Sequence, residues 1–142
     1  MKRLNTFIIG SICLLLVACN MKDPIIGEWK LTGMNIDKAL NNIPANQKEM
    51  ARKLMEPIFK SMKWKMKIIF EKDGKFKLEN PSQNEKTKVD VGTWSLSKDS
   101  KKLTTIIDGK SENYNIIELT EDKLIIGMHL SGQEEVDLTF SH

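Results

Sequence analysis

Enzyme chemistry needs a nucleophile, a proton acceptor and a group that orients them, and this chain offers few parts: two histidines, two cysteines and one tyrosine. His142 is the last residue, so a histidine triad or general base would have to rest on His129. His129 alternates with Met128 and Leu130 in a strand-like run, which turns it outward as a solvated histidine. Asp108-Gly109-Lys110-Ser111-Glu112 resembles the start of a calcium loop, but lysine stands where the second oxygen ligand should be, so the segment reads as a turn. Lys63, Lys65, Lys67, Lys75 and Lys77 interleave with Trp64, Met66 and Phe76, a pattern that on a nucleic-acid binder would combine cations with stacking rings. On strands, alternation sends the two sets to opposite faces, and the lysines become an ordinary solvated surface. The expectation is therefore no enzyme, no cofactor or metal, and no nucleic-acid partner.

Both cysteines, Cys13 and Cys19, lie near the N-terminus. Met1-Lys2-Arg3, an apolar run from Phe7 to Val17, and Ala18 before Cys19 make up the basic, apolar and small-residue zones of an export signal. The run is too short for a membrane span, which needs roughly 20 apolar residues. Leu16-Val17-Ala18-Cys19 resembles the bacterial lipobox, in which the cysteine carries diacylglycerol and becomes the first mature residue. That resemblance implies an 18-residue leader (1–18), a lipidated tether (19–24) and one folded domain (25–142), held to the cell envelope, at the outer membrane, by acyl chains. Which face of that membrane it occupies stays open, since Asp23 alone is too little acidity to argue surface export.

Of 142 residues, 124 remain after an 18-residue leader, enough for one core in a monomeric domain. Lys2 and Arg3 depart with the leader, leaving 20 basic against 19 acidic residues, so charge points to no acidic partner. Without cysteine in the folded part there is no disulfide and no thiolate metal site. Packing must hold it together.

Local patterns place the elements. Residues 25–32 alternate from Gly27 onward as a half-buried strand. Over 45–62 the period changes: Met50, Leu54, Ile58 and Met62 recur every four residues with Met55 and Phe59 beside them, an amphipathic helical segment that Pro57 should kink or divide. From Lys63, Trp64, Met66, Ile68 and Phe70 alternate with lysines, and Asp73-Gly74 turns the chain into Phe76 and Leu78 as a type I′ hairpin. Residues 89–96 form a strand whose apolar phase slips across Gly92, suggesting a β-bulge. Strands follow at 102–108, 112–119, 123–130 and 134–140, with turns at Asp108-Gly109 and Ser131-Gly132. Eight short strands joined by tight turns favour a mainly β fold, an antiparallel up-and-down barrel with the helical segment lying across one end as a lid or plug.

Gly27-Glu28-Trp29 at the head of the first strand, with the second Gly92-Thr93-Trp94, resembles the calycin group, the lipocalins and fatty-acid-binding proteins, and in particular bacterial lipocalin-like lipoproteins. The resemblance implies that Trp29 plugs the barrel base while Gly27 permits a close approach. It also implies an Arg-x-Tyr carboxylate clamp on the last strand and an arginine over the opening tryptophan. This chain has neither: its arginines are Arg3 and Arg52, and the last strand offers Asp137-Leu138-Thr139-Phe140. A buried fatty-acid carboxylate would lack its counter-charge.

The interior reads two ways. Trp64, Met66, Ile68, Phe70, Phe76, Leu78, Leu124, Ile126, Met128, Val136, Leu138 and Phe140 form an inward set that either fills the barrel or lines a cavity, since eight strands enclose room for side chains or one small ligand. In the cavity reading, the ligand contacts are Met55, Phe59 and Met62 from the helix, with Trp64, Met66, Ile68, Phe70, Phe76, Tyr114, Ile126, Met128 and Phe140 from the strands. Methionines suit a permissive apolar site, and Tyr114 would add a hydroxyl to it. In the solid-core reading, the exterior docks an envelope protein in a structural or inhibitory role.

Overall fold

The computed structural model describes residues 23–81, 86–129 and 135–142. The leader, Cys19, most of the tether and the expected turn at Ser131-Gly132 lie outside the described residues. The chain runs β1 (Gly27–Asn35), α1 (Asp37–Leu40), α2 (Ala45–Met62), β2 (Lys67–Phe70), β3 (Lys75–Asn80), β4 (Lys88–Leu96), β5 (Lys102–Ile107), β6 (Lys110–Leu119), β7 (Lys123–His129) and β8 (Glu135–Ser141). Each strand pairs antiparallel with the next, and β8 returns to β1, closing an eight-stranded barrel. Closure leaves no strand edge to cover. The buried core among the described residues is drawn from Ile25 to Phe140 and is enclosed by the closed barrel.

Alternation sets the inner wall. On β8, Val136, Leu138 and Phe140 are buried while Glu135, Asp137 and Thr139 are not, the period of a strand with one dry face. The lysine-rich outer face is ion-paired: Lys67 with Glu28 at 3.6 Å, Lys77 with Glu71 at 3.2 Å, and Lys75 with Asp73 at 2.9 Å. Such exposed pairs contribute little to stability.

Four local expectations need correction. The slip at Gly92 is no bulge, because β3 and β4 stay in register from Lys75↔Thr93 to Asn80↔Lys88. Asp90, Gly92, Trp94 and Leu96 share the inner face, and Val89 and Val91 are simply exposed. Glycine is needed there for space, since a Cβ would fall 2.1 Å from the Ile106 carbonyl oxygen. Register shifts occur instead between Leu31 and Gly33 and between Ile116 and Glu118.

At Asp73-Gly74 the hairpin forms, but only Gly74 is left-handed, and the Glu71 amide donates to the Lys75 carbonyl across a three-residue loop. Two consecutive positive φ values occur at Asp108 and Gly109, 49° and 77°. Pro57 does not divide α2, which runs as one 18-residue helix. Pro57 and Lys53 are both exposed, so the carbonyl deprived of its amide donor meets solvent.

The fourth correction is Trp64. It does not lie on the inner face of a strand but in the turn leaving α2, with φ 65° and 56% exposure. The last carbonyls of a helix need donors, and here the Lys65 and Met66 amides both donate to the Met62 carbonyl. That turn flips Trp64 outward, while its amide still bonds to the Leu31 carbonyl at 2.8 Å. Regular inward alternation begins at Met66, two residues later than the sequence pattern suggests.

Candidate ligand-binding site

The two ends of the barrel are built differently. At the end where β1 begins, Trp29 is wholly buried and its indole nitrogen donates to the Ile25 carbonyl at 2.7 Å. The His142 ring lies over it, centroids 4.0 Å apart and planes tilted by 32°. His142 Nδ1 donates to the Glu28 carbonyl at 2.7 Å, the only role open to it against an acceptor. Gly27 completes this floor: its φ is +144°, and a Cβ would sit 2.7 Å from His142 Cε1. The floor thus uses a histidine as cover for the tryptophan, in the place the family resemblance gives to arginine.

Toward the other end, where α1 and α2 connect β1 to β2, the inward side chains do not meet. They leave an apolar cavity of about 250 Å³. Met66, Ile68 and Phe70 come from the β2 region and Phe76 and Leu78 from β3; Ile126 and Met128 project from β7, and Leu138 and Phe140 from β8. The remaining wall, Leu103, Thr105 and Ile107 of β5 with Glu112 and Tyr114 of β6, carries all the polarity.

On that wall the register sets Thr105 opposite Glu112 and Leu103 opposite Tyr114. Glu112 and Tyr114, two residues apart on one strand, share a face, and the Tyr114 hydroxyl donates to Glu112 Oε2. Burial pushes the Tyr114 phenol up to about 12, and the bond to Glu112 and its charge push the same way, while Thr105 opposes them. The phenol therefore stays protonated and remains a donor at any ordinary pH. Thr105 is buried, whereas Glu112 stands at the rim.

Eight of the sequence-derived contacts line the cavity: Met66, Ile68, Phe70, Phe76, Tyr114, Ile126, Met128 and Phe140. Met55, Phe59 and Met62 do not; they pack half-buried against the core from α2. Trp64 faces solvent. Leu103, Thr105, Ile107 and Glu112 were not singled out by sequence. Leu103 and Ile107 sit on alternate positions of β5, but Thr105 between them breaks the apolar signal and Ile106 on the other face imitates it. Glu112 gives no apolar signal at all.

Comparison with known proteins agrees with this geometry. No curated protein sequence matches the chain. Among solved structures, a lipocalin-like protein from Bacteroides uniformis aligns over 84% of this chain and 98% of its own, with a TM-score of 0.54 at 12% identity. An uncharacterized protein from Bacteroides eggerthii aligns over 82% and 97%, with a TM-score of 0.50 at 12% identity. At such identities the likeness is one of fold. The family model described as a lipocalin-like domain matches residues 25–126, which takes in the Gly27-x-Trp29 floor, β1 to β6 and the first half of β7. With that match over most of the chain and a closed eight-stranded barrel, the chain belongs to the lipocalin-like domain family.

Proposed function

We propose that this protein is a lipid-anchored binder of a small apolar ligand, held by Cys19 to the outer membrane of the cell envelope. The observation that carries the reading is the cavity: about 250 Å³, walled by apolar side chains with one small polar cluster, the composition of a ligand pocket at a volume just below the usual range. The polar groups that reach it among the described residues, Thr105, Glu112 and Tyr114, are hydrogen-bonding groups suited to holding a ligand. The chain enters the barrel at the Trp29 floor, and the five residues 20–24 reach at most ~18 Å. An acyl group on Cys19 therefore holds the floor toward the bilayer and leaves the cavity mouth away from it.

Segment 20–142, extracted and examined by mass spectrometry, should carry an apolar molecule, and a fluorescent apolar probe should bind and be displaced by that extract. Absence of both results overturns the reading. Acylation is tested separately by metabolic labelling with palmitate, which should mark the chain and fail to mark Cys19→Ser.

A second reading, an envelope lipoprotein that docks a protein, is favoured by one feature. Met50, Leu54 and Ile58 are 67%, 66% and 53% exposed along one side of α2. Crosslinking in intact cells should then capture one recurrent protein through that stripe, with the cavity empty.

A further inference from the structure

Among the described residues the cavity is polar in one place, and the side-chain polarity there is oxygen. We infer that it takes an apolar molecule whose head group donates hydrogen bonds, an amine above all, and that it turns carboxylates away. This rests on the binding reading above and names the chemistry of the ligand.

Among the described residues no cation lines the cavity, and its charged wall residue is a carboxylate, Glu112. Tyr114 occupies one oxygen of that carboxylate and leaves the other with free lone pairs. The phenol oxygen and the Thr105 hydroxyl beside it can also accept. A donor head placed here meets three acceptors, while an acceptor head such as a carboxylate meets a like charge and loses its hydration.

The approach to the cluster repeats the bias. Cavity and outer groove share Thr105, Ile107 and Glu112. The groove opens where the ladder between β4 and β5, which runs only from Thr93↔Ile106 to Leu96↔Leu103, leaves Lys88 to Gly92 unpaired with β5. Its rim carries Asp90, Asp108 and Glu112 against Lys88 and Lys110, and Lys88 is held by Asp90 at 3.1 Å. A cationic head entering there passes a net acidic edge before reaching Glu112.

The volume equals roughly eight waters' worth of liquid, so a short-chain probe is the right size. The experiment titrates segment 20–142 with octylamine, octanol and octanoate by calorimetry, on the unaltered chain and on Glu112→Gln, with circular dichroism confirming that both are folded. Octylamine should bind at least tenfold more tightly than octanoate, with octanol between them. Glu112→Gln, which keeps shape and an acceptor for Tyr114, should weaken octylamine at least tenfold and leave octanol nearly unchanged. The inference is overturned if octanoate matches or exceeds octylamine, and equally if Glu112→Gln leaves the amine untouched. A Lys110→Ala variant that abolishes octanoate binding would move the head-group site to the lysine edge and overturn it as well. Octanol binding without any preference sinks this inference alone; no binding of any of the three sinks the cavity reading beneath it.

Discussion

The floor and the mouth of this barrel are made by the same strands with the same inward alternation, yet one is solid and the other hollow. At the floor, Trp29, Ile25, Leu31 and Leu124 are all at most 1% exposed, and the one polar atom of the indole is bonded to backbone. Close packing of this kind leaves no room for water. Toward the mouth the helix that should cover the space has no fully buried residue, and half of its apolar sector faces outward. Packing is therefore complete at the floor, while the cavity end keeps space whose content can vary. The lesson is one of division: a rigid base holds strand order so that a loosely covered end can accommodate a guest.

That contrast can be tested by breaking it, starting at the floor. Trp29→Ala removes the largest wholly buried side chain and should cost about 3–5 kcal/mol in denaturant unfolding, a large share of a domain's usual margin. A cost near zero would mean that the floor is not the anchor. His142→Ala removes the ring over Trp29 and the bond to Glu28, and should cost about 1–3 kcal/mol in the same measurement.

The smallest effect belongs to the mouth. Tyr114 is the sole tyrosine, so ultraviolet titration of phenolate reads one group, and its midpoint should lie near 12 rather than near the ordinary value of 10.0. A phenol raised in the folded state favours folding fully below pH 10 and loses that contribution as pH rises through about 12. Tyr114→Phe loses the bond to Glu112 and should cost about 1 kcal/mol at neutral pH, and it should lack this component of the alkaline decline. A midpoint at the ordinary value would remove the burial of the phenol, and with it the bond to Glu112, from the account.

Much of this was legible along the chain. The helix at 45–62 has the bounds read from its four-residue period, and the strand series, the hairpins and Trp29 at the base follow from alternation and the Gly-x-Trp motif. The misreadings share a cause. Trp64 kept the apolar rhythm of β2 but was diverted by the helix end, where Met62 needed donors for its carbonyl. Met50, Leu54 and Ile58 marked one side of the helical wheel, and the barrel took its neighbour, Ala51, Met55, Phe59 and Met62. Gly92 looked like a bulge because its need for space comes from Ile106, a residue on the next strand.

By itself the sequence determined the period of each segment, the sites of the turns and the poverty of catalytic side chains, because each is a property of neighbours in the chain. Only the tertiary structure decided that His142 covers Trp29, 113 positions away, that Thr105 joins Glu112 and Tyr114 on one wall, and that a cavity remains above the floor. Those outcomes depend on how the strand set closes. Closure fixes which side chains meet across the interior, and the volume they fail to fill is written in no single segment.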